Sequence, residues 1–342
     1  MQTNRTPQNS MDDKYNINIS DDSTIPKYQQ IVDFVNHGIA ENKLTLGDQL
    51  PSVNQICKEY KVSRDTVFKA YTVLKDQGVV DSVPNKGYFV ATAIQKVFLF
   101  LDTFKAYKEV LYDSFNKNLS KDIFADVHFH HYNIEVFKRQ VEESKGKYAK
   151  YVIMPFDHPK MASILNLIPE DKLLIIDWNI YSKPTSNILY QNFGNSVYEG
   201  LKTVLPLIRK YDNFQFLYPE YTDHPYESVL FFEQFCKEHN IKYSILTDSS
   251  NFNVEAGTAY FSVSDRMLGR FLEQCQSKNL EPGVHTGIIS YNETPMKKFI
   301  HKGITVITTD FYEMGKRAAE FASNHDKMNQ CVPTKVHIRE SL

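Results

Sequence analysis

Side chains able to do chemistry stand in two kinds of place in this sequence. The first is the stretch LPSVNQICKEYKVSRDTVFKAYTVLKDQGVVDSVPNKGYFV over residues 50–90. Ser52 and Ser63 each stand just ahead of a helical pattern, where a hydroxyl can accept a bond from an orphan backbone N–H. On the second pattern Val67, Ala70, Tyr71 and Leu74 recur at i, i+3, i+4 and i+7, one face to bury. The opposite face carries Arg64, Asp65, Phe68, Lys69, Thr72 and Lys75. The second kind of place is the polar residue that ends an apolar run. These are Asp102, Thr103 and Phe104 after 97–101, Phe156 and Asp157 after 151–155, and Asp177 and Trp178 after 173–176. Further along they are Tyr221 to Tyr226, Ser264 with Asp265, and Asn292 with Glu293. In open α/β sheets small ligands sit at the carboxyl ends of strands. Sugars need carboxylates and amides for vicinal hydroxyls and an aromatic face for the ring; Trp178, the only tryptophan, stands beside Asp177.

The elements that must hold these residues follow from periodicity. Residues 25–42 read as a helix with Tyr28, Ile31, Val32, Val35 and Ile39 as its apolar stripe. Short helices from about Ser52 to Tyr60 and from Ser63 to about Gln77 come next, and Gly78 stops the second. Val79-Val80, the turn Pro84-Asn85-Lys86-Gly87 and the return Tyr88-Phe89-Val90 make a two-stranded wing. Such a module presents the start of one helix to the major groove and a basic hairpin tip to the backbone or minor groove. After a linker at 92–96 the text changes to apolar strands alternating with amphipathic helices as far as 323. That rhythm predicts buried parallel sheet with helices on both faces, and its strands are too many for one sheet, so two lobes are expected. The expected division is a disordered arm at 1–24, a winged helix-turn-helix at 25–91 and a two-lobed α/β domain at 97–342.

Bulk properties narrow the partners. A net charge of −2 excludes a polybasic chain, and residues 24–91 hold eight Lys and Arg against seven acids, so pattern rather than charge points to nucleic acid. Four scattered cysteines, with no CxxC pair, suit reduced thiols in a cytoplasm. The polar first 24 residues lack the apolar stretch of a signal peptide, and no run approaches the roughly 20 apolar residues that span a bilayer. His128 and His130 share a strand face but lack a third ligand at metal spacing, and no metal site is expected. His224 lacks a nucleophile elbow, P-loop or glycine-rich phosphate turn around it, so neither catalysis nor a cofactor is expected.

Residues 26–90 resemble the winged helix of the GntR family of bacterial transcription regulators. The resemblance rests on Tyr28, Gly47 before Leu50-Pro51-Ser52, Val62-Ser63-Arg64 with Thr66-Val67, and Gly78 followed by Lys86-Gly87-Tyr88-Phe89-Val90. It implies DNA contacts by Ser52, Ser63, Arg64 and Thr66 and entry of Lys86 and Gly87 into the minor groove. Where the family carries an acid and then Arg after this LPS, Val53 and Asn54 stand here; Asn54 can still read an adenine edge. Residues 96–342, most clearly beyond 200, resemble the ligand-sensing domain of the LacI family, itself similar to type I periplasmic sugar-binding proteins. Ser264-Asp265, Pro282, Ser290 to Pro295, Thr308-Thr309, Tyr312 to Gly315 and Ile338 to Ser341 carry that likeness. It places Asp177, Ser264 and Asn292 toward a ligand, with Phe104, Phe156 and Tyr226 among the strand-end candidates. The family's ligand arginine falls on Ser228, which implies a neutral effector unless Arg266 or Lys105 takes the arginine's part. The whole is similar to arabinose-responsive repressors: a homodimer on operator DNA, controlled by a monosaccharide. The competing reading is a carbohydrate-acting enzyme with an appended winged helix; the aminotransferase-fused branch of the GntR family needs more than the remaining residues provide.

Overall fold

The computed structural model describes residues 15, 17–41, 43–91, 96–121, 123–179, 187–324 and 327–342. Packing divides the chain into one unit of Met1–Asp102 with Ser120–Leu174 and another of Thr103–Leu119 with Ile175–Leu342.

The first unit begins with three helices, α1 Lys27–Ala40, α2 Val53–Tyr60 and α3 Arg64–Asp76. Both short helices start at serines, as their sequence predicts. Ser52 forms a capping box with Gln55, and the Ser63 hydroxyl accepts from the Thr66 N–H. Lys61, in the left-handed region at φ 51°, ends α2 and lets the chain turn into α3. The apolar faces meet in one core in which Ile31, Val32, Val35, Ile56, Val67, Ala70 and Leu74 are buried. Tyr71 fills its centre, its hydroxyl donating to the Pro51 carbonyl and its ring 4.3 Å from that of Tyr88. Strands β1 Val80–Val83 and β2 Gly87–Val90 pair antiparallel, with Val83 opposite Gly87 beside the turn. Asn85 and Gly87 take positive φ there, and the Gln49 amide donates to the Lys86 carbonyl at 2.6 Å, fixing the tip.

One expectation is corrected here. Residue 15 and residues 17–24, expected within a disordered arm, are tied to the winged helix. Ile17 is 3 % exposed in its core, and its N–H donates to the Tyr60 hydroxyl at 2.9 Å. Tyr60 in turn donates to the Tyr15 carbonyl at 3.0 Å, and the Tyr15 hydroxyl to the Gln49 carbonyl at 2.8 Å. One apolar residue in a polar stretch gives no periodic signal, so the docking was not readable. Residues 1–14 lie outside the described residues.

Strands and helices then alternate: β3 Lys96–Leu101, α4 Ala106–Asn118, β4 Phe124–Phe129, α5 Ile134–Ser144, β5 Lys150–Ile153 and α6 Met161–Leu165. In the first unit β3 pairs in parallel with β4 and with β5. Lys96, expected as linker, already stands opposite Phe124 in β3; the rest of that linker, 92–95, lies outside the described residues. His130, just past β4, is buried in an aromatic cluster. Its ring stacks on Phe156 at 5.1 Å, Nδ1 accepts from the Tyr132 N–H at 3.2 Å, and Nε2 lies 2.9 Å from the Met154 carbonyl. Both nitrogens are therefore occupied by the fold. Among the described residues no group of three or more His, Cys, Asp or Glu could hold a metal ion.

The chain continues through β6 Leu173–Asp177, whose residues from Ile175 on belong to the second unit, and then β7 Asn187–Tyr190, α7 Phe193–Thr203, α8 Leu205–Ile208, β8 Asn213–Leu217, α9 Glu227–Glu238 and β9 Tyr243–Leu246. It ends with β10 Thr258–Ser262, α10 Asp265–Ser277, β11 Gly287–Tyr291, β12 Thr305–Thr309, α11 Phe311–Ser323, β13 Asn329–Cys331 and β14 Thr334–His337. One sheet runs in the order β14-β12-β11-β10-β8-β9, parallel except for β14. Its strands β10, β11 and β12 are buried at every position, which is why they carry apolar and small hydroxyl residues and no charge. Strands β7, β13 and β14 were not expected; β13 pairs in parallel with β7. No helix among the described residues is long and apolar enough to cross a membrane.

Helix α4 packs along α11 closely enough to need a glycine. A Cβ on Gly315 would lie 2.2 Å from the Leu111 carbonyl oxygen, and the Ser114 hydroxyl donates to the Tyr312 carbonyl at 2.6 Å across the same seam. Gly269 on α10 meets nothing within 4 Å. Gly315→Ala is therefore expected to destabilise the second unit by about 1–3 kcal/mol through overpacking. Gly269→Ala should stabilise it by about 0.5–1 kcal/mol through helix propensity alone. Chemical denaturation of both variants checks the pair.

Candidate functional site

The predicted DNA-facing residues lie together on the winged helix. Ser63 and Thr66 pair through their hydroxyls at 2.8 Å in the first turn of α3, so one O–H is committed inward and the other is left to face out. Arg64, next to them, is exposed and its guanidinium carbon lies 5.8 Å from the Phe68 ring. Ser52 is used by its cap, while Asn54 on α2 is exposed. Lys86 is exposed at the tip of the wing beside Gly87. Two other lysines of α3 are occupied by the protein. Lys69 sits 4.0 Å over the Tyr28 ring, and Lys75 donates to the Ser82 hydroxyl at 2.9 Å with Asp81 at 3.8 Å.

The candidate effector residues divide between the units. In the first, Asp102 is buried and accepts from the Tyr132 hydroxyl, and Phe156 lies within the His130 cluster. Both are thus held inside the fold of that unit, and their expected place in a ligand site gains no support from their surroundings. In the second unit, Asp177 and Trp178 belong to a closed circuit of contacts. The Gln191 amide nitrogen donates to Asp177, and its oxygen accepts from the Tyr291 hydroxyl at 2.9 Å and from Thr309 at 2.6 Å. The Tyr291 ring meets His224 edge-on at 4.8 Å, His224 meets Phe193 at 5.4 Å, and Phe193 meets Trp178 at 5.5 Å. His224 Nε2 lies 2.7 Å from the hydroxyl of Ser228, the residue that takes the family arginine's place.

Ser264 and Asn292 stand at the ends of β10 and β11. Ser264 caps α10 and lies 3.3 Å from the Tyr221 hydroxyl, with the Arg266 guanidinium 4.5 Å from the Tyr221 ring. Asn292, at φ 62°, gives its carbonyl to the buried Lys297 ammonium at 2.6 Å. Its Oδ1 is shielded from solvent with no hydrogen-bond partner among the described residues. Tyr226 is 60 % exposed and meets Tyr218 edge-on at 5.9 Å; Phe104 is 63 % exposed and Thr103 is half-buried.

Charge in the second unit is balanced. Burial pushes the Asp177 carboxyl up, against Lys108, Gln191 and Lys105, which all favour its ionised form. Burial also lowers the Lys108 ammonium to about 8, opposed by Asp177 and then Asp223. Asp223 is raised by burial against the same two lysines. Asp223 lies within the expected Tyr221–Tyr226 stretch, while Lys108 and Gln191 were not among the expected site residues. A signal existed for Lys108 alone: it stands three and seven residues before Leu111 and Phe115, a lysine in the apolar stripe of α4.

His224 is held neutral. Burial lowers its pKa from the ordinary 6.5 to about 3, with Lys105 adding to the effect. The unfolded chain takes up a proton that the folded chain refuses, so this stabilisation is whole above pH 6.5 and is lost as pH falls toward 3. His224→Asn, which cannot take up that proton, is expected to show a shallower fall in unfolding free energy across this window, read by urea titrations at a series of pH values. A slope equal to the wild type's would place the acid sensitivity elsewhere.

Known proteins resemble two parts of this chain separately. The profile described as "Bacterial regulatory proteins, gntR family" matches residues 27–90. The uncharacterized HTH-type transcriptional regulator YydK of Bacillus subtilis (strain 168) is 34 % identical over 101 residues, 30 % of this chain and 42 % of that protein. The mannosyl-D-glycerate transport/metabolism system repressor MngR of Escherichia coli (strain K12) is 37 % identical over 65 residues, 19 % of this chain and 27 % of that protein. This chain thus spans less than half of either relative's length. In three dimensions a LacI family transcriptional regulator from Lactobacillus casei, solved with bound glucose, superposes with a TM-score of 0.61 at 11 % identity, covering 72 % of this chain and 100 % of that one. At that identity the likeness is one of fold. The chain therefore carries the helix-turn-helix of the bacterial gntR regulators at its amino end, followed by an α/β domain with the fold of the LacI-family regulators.

Proposed function

We propose that this protein is a dimeric transcription repressor whose hold on operator DNA is set by a neutral monosaccharide, bound without turnover at the carboxyl ends of the second unit's strands. The carrying observation is the union, in one chain, of a gntR-type reading helix and the Asp177–Gln191–Tyr291–His224–Phe193–Trp178 circuit. Ser63, Arg64, Thr66, Asn54 and Lys86 would meet DNA. Asp177, Ser264 and Asn292 would hold hydroxyls, with Trp178 as the ring's apolar face. The Oδ1 of Asn292, buried with no partner among the described residues, is an acceptor that a ligand hydroxyl can use. Two further facts support the reading: the LacI-family neighbour binds glucose and the relative MngR is named a repressor. Two copies would set their reading helices on a near-palindromic site, and the protein would act in the cytoplasm. The sugar acts only through its different affinity for the two DNA-binding arrangements, on the order of 1–3 kcal/mol of coupling.

Fluorescence anisotropy with duplex promoter fragments at low salt, with and without a panel of monosaccharides, tests this. Arg64→Ala is expected to weaken DNA binding about five- to 150-fold, the loss of one base-reading pair of about 1–3 kcal/mol, while sugar affinity holds. Asp177→Asn and Trp178→Ala should bind DNA normally and lose the sugar response. Unchanged DNA binding in Arg64→Ala removes the reading-helix assignment; an intact response in both other variants moves the pocket.

A further inference from the structure

The outward ridge of α3 carries one large apolar side chain, Phe68, exposed beside Arg64. Its inward face is complete with Val67, Ala70, Tyr71 and Leu74 buried. Of the outward residues, Lys69 is drawn to the Tyr28 ring and Lys75 to Ser82 and Asp81. Arg64, Phe68 and Thr72, spaced four residues apart, form the exposed row that remains. Phe68 is the apolar member of that row and 42 % exposed, one turn behind Arg64, whose guanidinium carbon lies 5.8 Å from its ring.

We propose that Phe68 is a specificity-determining residue that reads the 5-methyl group of a thymine in the major groove. The proposal rests on the DNA-binding reading above. A phenyl ring has no donor or acceptor, so the groove edges of guanine, cytosine and adenine offer it nothing to recognise. Thymine alone presents an apolar group there, and apolar contact is the ordinary way to read it. The first turns of a recognition helix are those that reach base edges, and Phe68 is the fifth residue of α3. The guanidinium beside it is the group suited to guanine O6 and N7, and it holds the ring to one side of itself. The preferred site therefore carries a thymine within a step or two of the guanine that Arg64 reads.

The full-length protein is to be run through selection from a random duplex pool, and the enriched duplex then resynthesised with deoxyuridine replacing each thymine in turn. Uracil differs from thymine only by the missing methyl. Wild-type affinity is expected to fall about fourfold at one thymine per half-site, the worth of one buried methyl group. Phe68→Ala should bind the thymine and uracil forms equally, and Phe68→Leu should keep part of the difference; thermal melts confirm that both variants fold. A wild type indifferent to uracil at every position overturns the proposal, as does Phe68→Ala suffering the same penalty as the wild type. A change of association state in Phe68→Ala, by sedimentation, with no uracil effect in the wild type would mark the ring as a protein contact and also overturn it. Absence of any enriched sequence is the separate failure of the DNA-binding reading itself.

Discussion

The amide of Gln191 is the group on which the polar interior of the second unit depends. An ionisable carboxyl such as Asp177, buried and in the left-handed region at φ 75°, costs several kcal/mol to take from water unless donors meet it. Gln191 supplies one donor, and its oxygen accepts from two buried hydroxyls, those of Tyr291 and Thr309. Losing the amide would remove one hydrogen bond from each of these three groups, at about 0.5–1.5 kcal/mol per bond. Such a network is stable when complete and expensive when partial. Its members also mark the ends of elements. Tyr291 closes β11, and Thr309 precedes Asp310, whose carboxylate accepts from the Glu313 N–H and so caps α11. One amide therefore fixes the acid, a strand end and a helix start together.

A similar economy governs the winged helix, where groups that face DNA by position are partly spent on holding it in shape. Ser63 caps α3 and pairs with Thr66, which orients the first turn before any DNA arrives. Gln49 holds the wing tip through the Lys86 carbonyl and is itself bonded by Tyr15 from the amino-terminal stretch. The basic tip and the reading helix thus belong to one hydrogen-bonded frame that extends back to Ile17. Less side-chain and loop ordering is left to be done on binding, which is where preorganised surfaces gain affinity.

How much of this was legible in the sequence follows from which forces leave a local trace. Helices α2 and α3 were legible because serine caps and a 3.6-residue stripe act within a few residues of each other. Strands β10, β11 and β12 were legible because full burial leaves short runs of apolar and small hydroxyl residues with no charge among them. Strand β13, three exposed residues, and β14, alternately exposed, exist by pairing with distant partners and leave no such trace. Gln191 stands between β7 and the Asn192 cap of α7, where no periodicity singles out a residue. The strand-end rule picked Asp177 and Trp178, which join the Gln191 circuit, and Phe156, which stacks on His130. The rule locates the end of a strand; it does not say whether the residue there turns toward a ligand or back into the core.

The balance of charge around the circuit bears on what can be held there. Lys105 and Lys108 act on Asp177 and Asp223, and burial works against the ionised forms of Asp177, Lys108 and Asp223 alike. Two ammonium groups are thus matched by two carboxyl groups. An anionic ligand would compete with Asp177 and Asp223 for the same cations, while repelling both acids through a medium that screens far less than water. A polyol needs no such exchange. Its hydroxyls donate and accept at once, so they can bond to a carboxylate without disturbing the ion balance. The place of the family arginine points the same way. Ser228 there is buried and turned to His224, which burial keeps uncharged, so that corner contributes no positive field.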